Sequence, residues 1–255
     1  MTPEVVVDIG NTRMKWGLCR DGRVTEVLRL PLDEPAAWEV GSARLPPPAA
    51  AAGWTWAVAS VNPPALHRFL AWSAGRGRAV VFEKYSQLPI AVGVEEPAGV
   101  GIDRLLGAVA ARALTAPGTA AITVDVGTAV TVNLIDPTGT FRGGAILPGP
   151  RLMGRSLRDF TARLPLIDPA SPVTEDRPAG NTGDAIRLGI AAALEGGVDR
   201  LVTAFARRCP APPELFITGG GHHLLDSYRN QFVAGTHTLP TLTLEGIRLS
   251  AEALP

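Results

Sequence analysis

The sequence predicts an α/β fold made of two related halves. Strand-like and helix-like segments alternate along it, an apolar strand ending in Asp, a β-branched residue and Gly occurs twice, and the two copies stand about 117 residues apart. In the first copy Val5-Val6-Val7 runs into Asp8-Ile9-Gly10-Asn11-Thr12; in the second Ala121-Ile122-Thr123-Val124 runs into Asp125-Val126-Gly127-Thr128. Two homologous halves, residues 1–117 and 118–255, are expected to bring these polar turns to a common cleft. With 255 residues, 46% hydrophobic and 19% charged, the chain has enough apolar surface to bury a core in each half.

The first half opens as strand, turn and strand, because turn formers interrupt the apolar run before it resumes as Met14-Lys15-Trp16-Gly17-Leu18. Ala57–Val61 and Ala79–Phe82 read as buried strands around a helix from about Pro64 to Ala74, with proline at a permitted start position. A second helix, Ile102 to Leu114, is rich in Ala and Leu, and Thr115-Ala116-Pro117-Gly118 ends it and marks the boundary between the halves. In the second half Val130–Ile135 follows the second turn, and Asp136-Pro137-Thr138-Gly139 forms a hairpin turn. A helix is expected around Arg151 to Leu164, then a Pro- and Asp-rich loop from Pro165 to Gly180 and a long helix from about Thr182 to Arg208. Leu215–Thr218 is a short strand closed by Gly219-Gly220-Gly221, where glycine permits close backbone approach.

Composition excludes several classes of function. Lys and Arg (24) balance Asp and Glu (24), so no overall field draws the chain to nucleic acid or to anionic lipid. Two cysteines, Cys19 and Cys209, do not make a disulfide scaffold, which points to a reducing compartment, the cytoplasm. The N-terminus lacks the basic and apolar regions of a signal peptide. The uncharged stretch from Leu45 to Leu66 carries five prolines, among them Pro46, Pro47 and Pro48, and reads as soluble chain, not as a membrane span.

The chemistry concentrates in three segments. Asp8-x-Gly10-Asn11-Thr12-x-x-Lys15 sets a carboxylate, a flexible turn, two neutral donors and a cation within eight residues, a set suited to a nucleotide's phosphates. Gly10 lets backbone N–H groups approach anionic oxygens, Lys15 supplies charge, and Asp8 suits hydrated Mg²⁺. Asp125-x-Gly127-Thr128-Ala129-x-Thr131 repeats the acid, glycine and hydroxyl, and two such turns facing each other hold a polyphosphate from both sides. Pro97-x-x-Val100-Gly101-x-Asp103-Arg104 begins the Ala-rich helix, whose N-terminal end attracts an anion. Asp103 is there either an N-cap or a base that accepts a hydroxyl proton; Arg104 is either a surface residue or a bidentate clamp for a small carboxylate.

These segments, with Gly143-Gly144-x-Ile146-x-Pro148-Gly149, match the order and spacing of a known family: the chain resembles type III pantothenate kinase nearly end to end. Ser156-Leu157, Leu164-Pro165, Asn181-Thr182, Gly189-Ile190, Thr218-Gly219-Gly220 and Leu244-Glu245-Gly246 extend the match. The resemblance implies a duplicated ribonuclease H-like fold of the acetate and sugar kinase, heat-shock chaperone and actin superfamily. It implies ATP-dependent phosphorylation of pantothenate to 4'-phosphopantothenate, the first step of coenzyme A biosynthesis, by a homodimer. It casts Asp8, Ile9, Gly10, Asn11, Thr12 and Lys15 as the first phosphate loop, with Asp8 holding Mg²⁺ through water. Gly101, Ile102, Asp103 and Arg104 become the pantothenate segment, with Asp103 the catalytic base. Asp125 becomes the ligand of a monovalent cation (K⁺ or NH₄⁺), Thr128 an ATP contact and Thr182 a pantothenate contact. One departure stands out: Val94 occupies a position where the family usually has Tyr, which alters an aromatic wall of the pantothenate pocket.

Two other readings share this fold. One is a catalytically idle relative that binds or regulates, for which Val94 is the sole support; the other is a phosphohydrolase, which turns ATP over without pantothenate. His222-His223 lacks further ligands at metal spacing, and Trp38, Trp54, Trp56 and Trp72 lack the basic residues of a base-stacking surface, so they are assigned to packing or an interface.

Overall fold

The three consecutive valines give β1 (Val5–Ile9), whose apolar side chains are all fully buried. In the computed structural model, which describes residues 1–170 and 177–254, β1 pairs antiparallel with β2 (Met14–Arg20), and β2 pairs with β3 (Arg23–Leu30). β3 was not anticipated: Val24 and Leu28 are buried while Arg23 and Arg29 face out, but the alternation is broken by the adjacent exposed Thr25 and Glu26. Next come α1 (Pro35–Ser42), β4 (Trp54–Ser60), α2 (Pro63–Ser73) and β5 (Gly77–Phe82). Asn62 caps α2 by accepting from Ala65 N, and two prolines occupy the first turn, where a missing N–H is no loss. β4 lies parallel to both β1 and β5, so the sheet order is β3-β2-β1-β4-β5. The short β6 (Ala91–Val92) precedes α3 (Ile102–Leu114), which has the bounds its composition predicts.

The second set of strands repeats that topology. β7 (Ala121–Val126) pairs antiparallel with β8 (Ala129–Ile135), and β9 (Thr140–Pro148) neighbours β8. After α4 (Pro150–Asp159) and α5 (Thr182–Ala206), β10 (Glu214–Thr218) returns parallel to β7, and β11 (Gly235–Thr238) is parallel to β10. Five neighbouring strands of the six in this sheet, β9-β8-β7-β10-β11, repeat the order β3-β2-β1-β4-β5, and β6 pairs parallel with β9 at the edge. α4 stops before the expected Leu164: Phe160 is 89% exposed and residues 161–163 are exposed too, so a further turn would bring no buried face to hold it. The loop expected over 165–180 lies partly outside the described residues.

Two compact units result: Met1–Ala116 with Gly139–Phe141 and Thr241–Pro255, and Pro117–Thr138 with Arg142–Pro240. The linear division at 117/118 lies beside the break after Ala116, but the final helix, α6 (Leu242–Glu252), belongs with the first unit instead of the second half. It does so because Gly246 lets it press onto α3, where a Cβ would overlap the carbonyl of Leu106. Glu245 also accepts from Val24 N at 2.6 Å and from Arg248 at 2.7 Å, tying α6 to β3.

The first unit's core is aromatic. Trp16, Trp38, Trp56 and Phe69 are fully buried and meet edge to face, with Trp72 beside them, so packing accounts for these tryptophans. The second unit's core is aliphatic: Ile122, Val124, Val126, Val130 and Val132 pack on Leu194, Val198 and Val202 of α5.

Candidate active site

In the first unit the β1–β2 hairpin turns through Gly10, whose N–H donates to Arg13 O at 3.0 Å. Asp8 and Lys15 are cross-strand partners, and their side chains form an ion pair at 3.3 Å, mostly shielded from solvent. Ile9 is buried and anchors the turn, leaving Gly10 half-buried and Asn11 and Thr12 exposed. Alternation along β1 separates these roles: Val7 and Ile9 enter the core, while Asp8 points to the other face.

Asp103 is not the cap of α3. The N-cap is Gly101, which has no side chain to offer, and Asp103 sits in the first turn accepting from Arg104 N at 2.9 Å. A Cβ on Gly101 would stand 2.6 Å from Asp103 Oδ1, so the missing side chain makes room for this carboxylate. Burial first, and the neighbouring Asp8 carboxylate second, raise the Asp103 carboxyl above its ordinary range. The hydrogen bond from Arg104 N and the Arg104 charge pull the other way but do not prevail. Arg104 lies over the Phe141 ring at 5.6 Å, and Ile102 is buried beneath the segment. The first unit thus pairs Lys15 with Asp8 and brings the Asp8 charge to bear on Asp103.

In the second unit Asp125 and Thr131 are cross-strand partners, in the same ladder position as Asp8 and Lys15. The turn between them is braced from two sides. Gly127 N donates to Ala129 O and Gly149 N to Thr128 O, each at 2.9 Å, and a Cβ on Gly149 would stand 2.8 Å from the Thr128 carbonyl carbon. Gly219, at φ +93°, passes so close to Asp125 that a Cβ would overlap Oδ1. Gly221 N then donates to Val126 O at 2.9 Å. Thr128 is exposed at the tip. Thr182 is the exposed first residue of α5, whose cap is Asn181 accepting from Asp184 N at 2.9 Å.

Sequence reasoning missed one constellation. Asn133, 1% exposed, donates to Thr123 Oγ1 at 3.1 Å and to Thr131 Oγ1 at 3.3 Å on the sheet face opposite the α5 core. The signal was available: Thr123, Thr131 and Asn133 are polar residues inside otherwise apolar strands. His222-His223 begins a short 3₁₀ turn in which His222 Nδ1 lies 2.9 Å from Gly219 O.

Among the described residues no group of three or more His, Cys, Asp or Glu side chains is placed to hold a metal ion. The donor set still fits Mg²⁺ carried by phosphates, since that ion keeps most of its waters and takes one or two carboxylates. No helix among the described residues is long and apolar enough to cross a membrane.

Comparison with known proteins places this geometry. Two solved structures share the fold. The ethanolamine utilization protein EutJ from Carboxydothermus hydrogenoformans has a TM-score of 0.53 and 15% identity, covering 96% of this chain and 89% of that one. The activator of the 2-hydroxyisocaproyl-CoA dehydratase from Clostridium difficile, with bound ADPNP, has a TM-score of 0.52 and 10% identity, covering 99% and 97%. With the repeated strand order, the fold is the duplicated ribonuclease H-like one of the acetate and sugar kinase, heat-shock chaperone and actin superfamily.

In sequence, the type III pantothenate kinase of Synechococcus sp. (strain JA-2-3B'a(2-13)) is 31% identical over 259 aligned positions, which cover 94% of this chain and 85% of the relative. That of Synechococcus sp. (strain JA-3-3Ab) is 42% identical over 114, and that of Polaromonas sp. (strain JS666 / ATCC BAA-500) is 44% identical over 89. These two shorter matches span 46% and 33% of the relatives' own lengths. The family model described as type III pantothenate kinase matches residues 4–204, a span that contains both acidic hairpins and the Gly101–Arg104 helix start, and the chain belongs to that family.

Proposed function

We propose that the protein transfers the γ-phosphoryl group of ATP to the primary alcohol of pantothenate, yielding 4'-phosphopantothenate and ADP. The observation that carries this reading is the Asp103 carboxylate, half-buried at a helix start where Gly101 leaves it room, and near enough to the Asp8 of the Asp8–Lys15 ion pair to feel its charge. Phosphoryl transfer needs positioning, neutralisation of charge and a proton acceptor more than covalent help. Asp103 takes the alcohol's proton as its oxygen bonds to γ-phosphorus; the bond from γ-phosphorus to the bridging oxygen breaks, and ADP leaves with that electron pair. A raised pKa makes Asp103 the stronger base for this step.

Lys15 and the donors of the Gly10–Thr12 turn hold phosphate oxygens, and Asp8 holds Mg²⁺ through water. When bound, Mg²⁺ neutralises developing charge on the phosphates. Gly101, Ile102 and Arg104 shape the pantothenate segment, with the Arg104 guanidinium on the substrate's carboxylate, and Thr182 adds a further contact. Thr128 is assigned to ATP and Asp125 to K⁺ or NH₄⁺. Val94 is half-buried just past β6 and offers the pocket neither ring nor hydroxyl, so weaker pantothenate affinity is expected. The working form is taken to be a homodimer in the cytoplasm. The exposed Ile146, Leu152, Phe160 and Leu166 around α4 support the first part, and the free thiols Cys19 and Cys209 support the second.

The test is ADP release coupled to an indicator, with pantothenate, Mg²⁺ and K⁺ or NH₄⁺ present. Pantothenate-dependent release is expected. Silence at saturating substrate refutes the activity, and ATP turnover without pantothenate replaces it with a phosphohydrolase.

A further inference from the structure

Asn133 is a buried amide in a strand whose neighbours are apolar, and a buried polar group is retained there only when its hydrogen bonds are satisfied. Its two N–H bonds go to two hydroxyls on one sheet face, Thr123 Oγ1 and Thr131 Oγ1. β9 crosses this point at Gly144, where a Cβ would lie 2.7 Å from Asn133 Cα and 2.9 Å from its Oδ1, so the amide is held by packing as well. The two acceptors differ in setting: Thr123 is 2% exposed, whereas Thr131 is half-buried and stands directly across the ladder from Asp125.

A hydroxyl that accepts from an amide N–H retains one proton to give. Because Asn133 supplies the donor in this bond, the Thr131 hydroxyl keeps its own proton to give, at the edge of the second hairpin. We infer that Asn133 is a positioning residue that turns the Thr131 hydroxyl proton outward onto a phosphate oxygen of the bound nucleotide, beside Asp125. The identity of that ligand rests on the kinase reading above; the hydrogen-bond direction rests on the Thr123–Asn133–Thr131 geometry.

The experiment measures binding of a non-hydrolysable ATP analogue with Mg²⁺ by calorimetry, together with KM for ATP, KM for pantothenate and half-saturation by K⁺. Thr131→Val, which removes the hydroxyl, is expected to weaken analogue binding and raise KM for ATP about tenfold while KM for pantothenate stays within about twofold. Thr131→Ser restores the donor and is expected to bind like the parent. Asn133→Asp reverses the inner bond, so that Thr131 donates inward, and is expected to weaken analogue binding about tenfold; added to Thr131→Val it is expected to cost no more than about threefold further. Wild-type binding by Thr131→Val, additive losses in the double variant, or a shift in K⁺ half-saturation with unchanged analogue binding would each overturn the inference. If Asn133→Asp does not fold, Asn133→Ala, which removes the inner donor, takes its place in the cycle with Thr131→Val, and wild-type analogue binding by it would overturn the inference. A parent protein that binds the analogue but leaves pantothenate untouched refutes the substrate and not this inference.

Discussion

Replacing Gly101 by Ala isolates the placement of Asp103 from its chemistry. The backbone at Gly101 (φ −55°, ψ 130°) accepts an L side chain without strain, so the substitution acts only through space. The new Cβ would sit 2.6 Å from Asp103 Oδ1, and an ordinary carbon–oxygen contact begins near 3.4 Å, so the carboxylate must retreat by about 0.8 Å. That retreat stretches the 2.9 Å bond from Arg104 N, and losing it costs roughly 1 kcal/mol. In a chain of 255 residues the melting midpoint should fall by about 2–4 °C. The rate should suffer far more, because displacing a reacting group by about 1 Å costs on the order of 100-fold. Steady-state ADP release with both substrates varied should show kcat down about 10- to 100-fold, with KM for ATP nearly unchanged. Full kcat in a folded Gly101→Ala protein would remove Asp103 from the reacting centre.

Asp103→Asn should lower kcat by roughly 10²- to 10⁴-fold and yet raise the melting midpoint at neutral pH. The folded-state pKa of Asp103 is raised, so its ionisation costs stability as pH rises from the unfolded value near ~3.9 through the folded one. The advantage of Asn should therefore vanish below about pH 4; a constant difference across a pH series would contradict the assignment. Gly219→Ala meets both positive φ and Asp125 Oδ1, and should cost about 2 kcal/mol or more in a denaturant titration while weakening nucleotide binding. Burial pushes the Cys19 thiol up to about 12, so alkylation near pH 8 should be slow until the protein is unfolded; rapid native-state labelling would show the site to be open.

Local chemistry made much of this readable from the sequence. The β-branched run at Val5–Val7 and the repeated acid–glycine turn located β1, β7 and both hairpins, since strand propensity and turn formation act within a few residues. α3 matched its composition end to end. The place of α6 was hidden because it depends on Gly246 meeting Leu106, a contact between distant parts of the chain that no local pattern records. β3 was missed because its alternation is weak, with Thr25 and Glu26 adjacent and both exposed. Asp103 was legible as a residue of interest, but its relation to the cap was not, since sequence alone did not exclude its being the cap. Asn133 was overlooked because a lone amide in a strand looks like an ordinary polar residue until its two acceptors are found beside it.

The duplicated topology explains why the acids lie where they do and how their roles parted. β1 runs antiparallel to β2 and parallel to β4, and β7 relates to β8 and β10 in the same way. The first strand of each unit is therefore the point where connection direction changes, and ligands of open α/β sheets collect at the carboxyl end of such a strand. Asp8 and Asp125 each stand next to last in that strand, so one backbone geometry presents both carboxylates at that end. The residue across the ladder then sets the chemistry. Opposite Asp8 is Lys15, which forms an internal ion pair and is the positive group proposed for the phosphate oxygens. Opposite Asp125 is Thr131, a neutral hydroxyl that adds no positive charge and is itself held by Asn133. The ladder partners thus differ in charge between the two hairpins, and the proposed division of labour, a monovalent cation at Asp125 and a lysine-assisted phosphate contact at Lys15, is the one the family resemblance implies.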